Sequence, residues 1–406
     1  MPTLVQIDSC LAKGSTGRIT EAIGAIMKQQ GWDCYVVHGA RYIGKSKLKS
    51  LQVVSKLQEY LHAFGSMLFD RHGLFSHKET TAVINKLREI KPDIIQLHCV
   101  HGYYINYKLL FEYLKETNIP VVWTFHDCWS FTGHCAHFAF AGCDKWKNGC
   151  YKCPLLKSYP KTFFIDNSEK NWKQKHLSFT SLDNMHIVLV SEWLLNLAKQ
   201  SFFNKYPMQI IYNGVDVNVF KPLNDASLRI KYGIKESDFM MVACATAWSE
   251  YKGIYDYIEL SKHINDDYKL ILVGVDDIWK KKLPSNVITI PRTENIYELT
   301  ALYSSADVVL NLSYQESFGL TTIEGFACGT PGIVYNVTAS PELITGNTGI
   351  IVEPGDINGI LSAIETIKRN GKEHYKEYCR KRAVECYDKN MRFEEYSVLY
   401  NNLLKY

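Results

Sequence analysis

The sequence predicts two doubly wound α/β domains, each a parallel sheet with helices on both faces. Three observations carry this expectation. Short β-branched apolar runs alternate with helix-length amphipathic segments along the whole chain, as strand–helix–strand crossovers require. The runs form two series, more than one open sheet of this kind holds. The chain has 406 residues, 46% apolar and 22% charged, enough for two hydrophobic cores of roughly 150–200 residues each. This composition excludes a disordered chain, a collagen-like fibre and a small disulfide scaffold.

In the first series, strands are expected at residues 4–7, 35–37, 94–97, 121–125 and 187–190, with helices over 19–30 and 109–116. The second series has strands at 240–244, 270–273, 287–290, 308–312, 333–335 and 350–352, with helices over 256–264 and 320–328. Turn chemistry at Tyr212-Asn213-Gly214-Val215-Asp216 separates the two series. The domains are therefore placed at 1–212 and 213–390. An aromatic-rich helix follows at 391–406, carrying Phe393, Tyr396, Tyr400 and Tyr406. Ligands of open α/β sheets bind outside the carboxyl ends of the strands, so two such domains facing each other would hold the chemistry in a cleft.

The longest run without Asp, Glu, Lys or Arg is 325–341, which contains Gly and Pro. It falls short of the ~18–20 apolar residues of a spanning helix. The start, MPTLVQIDSC, lacks a secretory pattern, so a cytoplasmic location is expected. Net charge is +4, but residues 1–200 carry 24 Lys/Arg against 16 Asp/Glu and the remainder 22 against 26. This excess is modest and no reader motif accompanies it, so nucleic acid is not an expected partner. Residues 41–91 hold ten basic and four acidic residues, with Leu48, Leu51, Val54, Leu57, Leu61, Phe64, Met67 and Leu68 interleaved. Two readings stand: a basic amphipathic helix that touches anionic lipid or a lipid-linked substrate, and a solvated helix packed on its own domain.

The sharpest motif is Glu316-Ser-Phe-Gly-Leu-Thr-Thr-Ile-Glu324, after the strand expected at 308–312. Glycine admits close backbone approach, and the free N–H groups at a helix start suit a phosphate. A diphosphate would rest between the two carboxylates, with Glu324 accepting from a ribose diol. Alone, this pattern is also that of a helix with surface glutamates.

With its context the pattern resembles retaining, nucleotide-sugar-dependent glycosyltransferases of the GT-B fold, family 4 or group 1, including bacterial capsule and exopolysaccharide enzymes. The matching segments are Tyr314 to Pro331, Asn213-Gly-Val-Asp-Val-Asn-Val-Phe-Lys-Pro222, Lys252-Gly253, Pro341-Glu342 and Gly349 to Gly355. The resemblance implies that Glu316 contacts donor-sugar hydroxyls and Glu324 holds the ribose. It places Phe318, Gly319, Leu320 and Thr321 at the diphosphate and sugar. Lys252 would neutralise the leaving diphosphate, where charge grows during reaction. In the first domain, Lys13-Gly14-Ser15-Thr16-Gly17-Arg18 resembles the family's glycine-rich loop and adds Gly14, Gly17 and Arg18 to the donor site, although many such turns exist for packing alone. His98 and His126 end the strands expected at 94–97 and 121–125. His126, in Trp123-Thr-Phe-His-Asp127, matches a family position near donor sugar and acceptor; a lone histidine is otherwise usually structural. Where the family carries an Arg about five residues before the lysine, this chain has Ala247 and Trp248, leaving Arg18 or Arg292 as substitutes.

Nothing in the sequence identifies the carboxylate pair that retention by double displacement needs. The resemblance implies transfer on one face of the sugar, with the leaving diphosphate helping to deprotonate the acceptor. No Asp-x-Asp motif occurs, so no catalytic metal is expected. The expected partners are a UDP- or GDP-sugar donor and a glycan or lipid-linked oligosaccharide acceptor, with peripheral membrane association. A sugar-nucleotide epimerase or hydrolase on the same fold, or a non-catalytic binding subunit, are the competing readings. Five of the twelve cysteines fall between Cys128 and Cys153. The spacing Cys135-x7-Cys143-x6-Cys150-x2-Cys153 suits a structural zinc site in the loop 128–153. Free or disulfide-bonded thiols and an iron–sulfur or redox role remain open. Cys128 would be a bystander, and His134 or His137 a replacement ligand.

Overall fold

Two parallel sheets organise the chain in its computed structural model, which describes residues 1–224, 227–293 and 295–405. One unit comprises Met1–Tyr212 with Phe393–Tyr406, the other Asn213–Arg392. In the first, the strands are β1 (Thr3–Ile7), β2 (Cys10–Leu11), β3 (Asp33–His38), β4 (Tyr42–Ile43), β5 (Lys49–Gln52), β6 (Ile94–Leu97), β7 (Val121–Phe125), β8 (Met185–Leu189) and β9 (Met208–Ile210). Seven form a sheet in the order β5-β3-β1-β6-β7-β8-β9, and β2 pairs with β4. Every pairing is parallel. Helices cover both faces of such a sheet, so central strands read as unbroken apolar runs; β6 and β7 are buried throughout.

The helix Gly14–Gln29 sets Ile19, Ile23 and Met27 into this core. The chain's last helix, Lys389–Leu403, contributes Phe393, Tyr396, Leu399 and Tyr400 to the same core. Two of its hydroxyls are matched inside: Tyr396 with Thr124 Oγ1 at 3.1 Å, and Tyr400 donating to Gln96 Oε1. Tyr406, expected in this helix, lies outside the described residues.

The basic segment departs from expectation. Residues 41–91 form no single helix: β4 and β5 come first, then the helices Lys56–Phe69 and His77–Ile90. Leu48 and Val54 are buried before the first helix begins. That helix is inverted, with Glu59, His62, Ala63 and Ser66 inside and Leu57, Tyr60, Leu61 and Phe64 exposed. Buried Glu59 is held by the Ala40 N–H at 2.7 Å and by the Arg41 guanidinium, and His62 Nδ1 lies 2.8 Å from Ser76 Oγ. Polar partners on the inner side thus replace the usual apolar stripe. No helix among the described residues is long and apolar enough to cross a membrane.

The second unit has β10 (Phe239–Cys244), β11 (Tyr268–Val273), β12 (Val287–Ile290), β13 (Val308–Asn311), β14 (Gly332–Tyr335) and β15 (Gly349–Val352), in the order β12-β11-β10-β13-β14-β15. All pairs are parallel. In both sheets the strand order reverses beside the first strand, between β1 and β6 and between β10 and β13. Crevices for ligands open at such switch points.

Gly253, before the helix Ile254–Lys262, fixes the turn after β10. Its φ is +72°, and a Cβ there would stand 2.0 Å from the Leu312 carbonyl oxygen. Gly253→Ala is expected to destabilise by on the order of 3 kcal/mol, from left-handed strain plus overpacking. Urea denaturation checks this as a lowered midpoint at unchanged slope.

Candidate functional site

In the second unit the loops leaving β10 and β13 meet at the switch point. Lys252 follows β10 and Glu316 follows β13, and Lys252 Nζ lies 2.6 Å from Glu316 Oε1. The loops are tied directly, the Tyr314 N–H donating to the Tyr251 carbonyl at 2.8 Å. Tyr257 OH, from the intervening helix, donates to the Leu310 carbonyl and accepts from the Leu312 N–H. The Glu316 N–H donates to Thr338 Oγ1 at 3.0 Å, and its carbonyl accepts from the Ala339 N–H. The carboxylate is therefore positioned from three strand ends.

Beyond Glu316 the chain turns at Gly319, φ +101°, and starts the helix Leu320–Ala327 with no side-chain cap. A Cβ at 319 would meet Leu343 Cδ1 at 2.9 Å, so the turn is reserved for glycine. Uncapped N-terminal amides, with the positive end of the helix dipole, form an anion-binding surface. Asn311 Nδ2 donates to Thr322 Oγ1 at 3.2 Å and binds this first turn to the end of β13. One turn on, Glu324 Oε2 accepts from Tyr303 OH at 3.0 Å.

In the first unit the corresponding switch point lies between β1 and β6. Asp8 follows β1 and is fully buried, accepting from Thr20 Oγ1 at 3.1 Å and Thr16 Oγ1 at 3.5 Å. Burial pushes its carboxyl up to about 6 against those hydrogen bonds. The helix Gly14–Gln29 begins here with Gly14 at φ +74° and no side-chain cap, and Arg18 is exposed on its first turns. His98 Nδ1 and His126 Nε2 stand 3.0 Å apart at the ends of β6 and β7. His98 Nε2 faces Gln6 Oε1 at 3.4 Å, and Gln6 is oriented by its own amide donating to the Thr20 carbonyl. This order fixes the protons. His98 Nε2–H donates to Gln6, His126 Nε2–H donates to His98, and His126 Nδ1 is left as an acceptor. Burial pushes His126 down to about 4 despite neighbouring Asp127, and holds His98 well below the usual imidazole value, so both rings are neutral near pH 7. Asp127 accepts from the Trp129 N–H and faces His101 Nε2 at 2.9 Å. Burial raises its carboxyl, but His101, His137 and that N–H hold it below the usual carboxylate range.

A family model described as Glycosyltransferase Family 4 matches residues 17–219, half of the chain. The chain belongs to that family. A second model, Glycosyl transferases group 1, matches residues 225–384. The putative colanic acid biosynthesis glycosyl transferase WcaC of Escherichia coli K12 is 23% identical over 98% of this chain and 100% of its own length. N-acetyl-alpha-D-glucosaminyl L-malate synthase of Bacillus anthracis is 27% identical over 54% of this chain, which spans 60% of that relative. Among solved structures, sucrose-phosphate synthase of Thermosynechococcus elongatus superposes with a TM-score of 0.75 at 16% identity, covering all of both chains. HepE of Anabaena, in complex with UDP, superposes with a TM-score of 0.68 at 15% identity, covering 99% of this chain and 100% of its own. The fold is thus that of the GT-B glycosyltransferases, and the protein is a glycosyltransferase.

The structure gathers Lys252 with Glu316, Gly319 to Thr321 with Glu324, and His98 with His126. Phe318 and His98, by contrast, turn their side chains away from any ligand. Phe318 is 4% exposed and packs its ring on Tyr387, 5.7 Å away, so its side chain anchors the turn. His98 is 3% exposed with both ring nitrogens engaged, which makes it the support of His126 rather than a ligand contact. Of the two residues where the resemblance implies an Arg, Trp248 is buried and donates to the Val273 carbonyl and Ala247 is exposed, as is Arg292. The four cysteines Cys135, Cys143, Cys150 and Cys153 line one small cavity together with His134, although among the described residues no three His, Cys, Asp or Glu side chains stand ready to hold a metal ion. Asp8, Tyr303 and Thr338 were invisible to sequence reading, because only strand order brings them to these turns.

The depressed His126 pKa makes a pH prediction. Between about pH 6.5 and 4 the unfolded chain takes a proton that native His126 refuses, so this residue's contribution to stability is lost as pH falls through that window. Asp8, holding its proton to about pH 6, works in the opposite sense. Urea denaturation of wild type against His126→Gln should show a stability difference that grows from pH 4 to 6.5 and is flat above.

Proposed function

We propose that this enzyme transfers a hexose with retention from a nucleoside diphosphate sugar to a glycan acceptor, lipid-linked, in polysaccharide biosynthesis. The observation that carries it is the Lys252–Glu316 pair beside the uncapped amides at Gly319. A diphosphate fits such a place because ammonium and helix amides both favour anions, and their pull strengthens as the leaving group gains charge. Glu316 would accept from sugar hydroxyls and Glu324 from the ribose. In the step itself, the acceptor oxygen bonds to the anomeric carbon as the carbon–phosphate-oxygen bond breaks. The departing oxygen keeps the electron pair and takes the acceptor's proton on the same face. His126 Nδ1, an acceptor in its assigned tautomer, would receive a hydrogen bond from a sugar hydroxyl. No metal is required by this scheme, since Lys252 and the amides supply the positive charge. The names of WcaC, a colanic acid enzyme, and of UDP-bound HepE support the polymer class and the donor class.

The inverted helix supports the lipid-linked acceptor. Leu57, Tyr60, Leu61 and Phe64 are 53–68% exposed, and the segment carrying Phe163 and Phe164, the latter 90% exposed, is fixed beside that helix by the Phe163 N–H donating to the Met67 carbonyl. Exposed Lys56, Arg71 and Lys161 flank these residues, as an interfacial surface for anionic lipid requires.

Two experiments test these readings. Thermal shift against UDP-, GDP- and ADP-sugars should single out one donor. With it, Lys252→Ala should lower kcat by about 100–1,000-fold, the scale of losing one charge-stabilising donor, without lowering the melting temperature. Turnover of that donor without acceptor, at the same rate as with it, would overturn transfer in favour of hydrolysis or epimerisation. Flotation with phosphatidylglycerol vesicles should retain the wild type and release Leu61→Glu/Phe64→Glu; equal flotation of both would remove the membrane contact.

A further inference from the structure

The segment between β7 and the helix Ser168–Phe179 carries only three single-turn 3-10 helices, yet its interior is ordered around Phe131, Phe138 and Trp146, whose rings pack 5.1–6.3 Å apart. Beside these rings Cys135, Cys143, Cys150 and Cys153 surround a cavity of about 10 Å³, room for about one water-sized centre. The Cys135 and Cys153 thiols hydrogen-bond each other, and Cys150 Sγ accepts from the Gly133 N–H at 3.1 Å. All four are free thiols.

Two buried side chains of the loop's surroundings, His134 and Lys175, bear on what the cavity could hold. His134 lines it, is 2% exposed, and has Nδ1 2.6 Å from the buried Asp70 carboxylate, while its Nε2 has no partner. A carboxylate gripping one imidazole nitrogen orients the other toward a metal centre or its thiolates. Lys175, also 2% exposed, donates to the Trp129 and Thr132 carbonyls and lies 3.4 Å over the Trp129 ring. Among the described residues no carboxylate lies within ion-pair distance of it, and the charges within its reach are those of Cys150, Cys135, Asp127 and Asp70. A buried ammonium held only by carbonyls and by carboxylates beyond ion-pair distance is poorly compensated; a cluster of thiolates would add negative charge beside it.

We propose that Cys135, Cys143, Cys150 and Cys153 hold one soft, tetrahedral divalent cation of the zinc class, with His134 and Lys175 as the donors that balance its thiolate charge. Binding draws the four sulfurs onto the cavity's centre, since no three stand at it beforehand, and releases their protons. The ion pins an irregular loop, independently of any reading of the donor site.

Untagged full-length chain, purified without chelator, should contain about one zinc per chain. After stripping, titration with Co²⁺ should give the thiolate-to-cobalt charge-transfer band and the intense visible bands of a tetrahedral site, saturating at one equivalent. Cys135→Ser and Cys153→Ser should lose at least nine-tenths of the bound metal, whereas Cys386→Ser, in the other unit, keeps it. His134→Gln should keep the four-sulfur spectrum with affinity weakened by about 10–100-fold, the usual effect of losing an orienting partner. Should the cysteine variants fail to fold, the wild-type Co²⁺ titration decides alone. Absence of the charge-transfer band overturns the proposal, as does mass-spectrometric recovery of these cysteines as disulfides. A spectrum that loses one ligand in His134→Gln overturns the four-thiolate set.

Discussion

A single ion pair at a strand-order reversal ties the loops of the second unit's candidate site together. Lys252 and Glu316 lie 64 residues apart in sequence and 2.6 Å apart in space, because β10 and β13 are neighbours although β11 and β12 intervene in the chain. Each loop is braced so that neither group swings freely: Gly253 lets the backbone after Lys252 run against the Leu312 carbonyl, and Thr338 and Ala339 clamp Glu316 through its own amide and carbonyl. The pair is partly buried, its side chains 23% and 16% exposed. An ion pair so placed is weak evidence for stability and better evidence for a site, since desolvation offsets much of the attraction.

The first unit solves a similar positioning problem without charge. The chain from Thr20 through Gln6 and His98 to His126 runs entirely over neutral groups, and burial keeps both rings neutral. In the proposed role of His126, a neutral acceptor nitrogen suits a sugar hydroxyl better than an imidazolium would, because it takes a proton in a hydrogen bond without adding positive charge. The fixed tautomer comes from Gln6, on a central strand, so the orientation of His126 is built into the core and does not depend on a loop.

The sheets were legible in the sequence because fully buried parallel strands leave continuous apolar runs, as in Ile94–Leu97 and Val121–Phe125. The edge strand Lys49–Gln52 was not, since its residues are largely exposed and its composition reads as loop. The helix Lys56–Phe69 left two readings open in the sequence for a different physical reason: periodicity reports which residues share a face, not which face is inside. Here Glu59 and His62 find polar partners within, so the apolar stripe is the one left to solvent. In the site, residues spaced along one turn and helix, Glu316 to Glu324, were readable as a unit. Partners supplied by other strands, such as Tyr303, Thr338 and Asp8, carried no local signal. The cysteine spacing was visible, while Asp70, 64 residues before His134, reaches the loop only through the fold.

Neither Ala247 nor Trp248, where the resemblance implies an arginine, brings a charge to the second unit. Trp248 is committed to packing: its indole donates to the Val273 carbonyl, its own carbonyl accepts from Trp279 Nε1, and its ring meets Tyr257 edge-on. The proposed anion site is thus left with Lys252 and the amides of the helix Leu320–Ala327 as its fixed positive elements on this side of the sheet. Lys252 is already satisfied by Glu316, so in the proposed reaction an arriving diphosphate must share it with that carboxylate, and the sugar hydroxyls that Glu316 accepts repay the carboxylate for what it gives up. Donor sugar and diphosphate are then recognised together, because neither alone leaves both members of the ion pair satisfied. Such coupling ties correct seating of the sugar to the positive charge at the leaving group, and it does so with one cation where two would hold the diphosphate whatever sugar it carried.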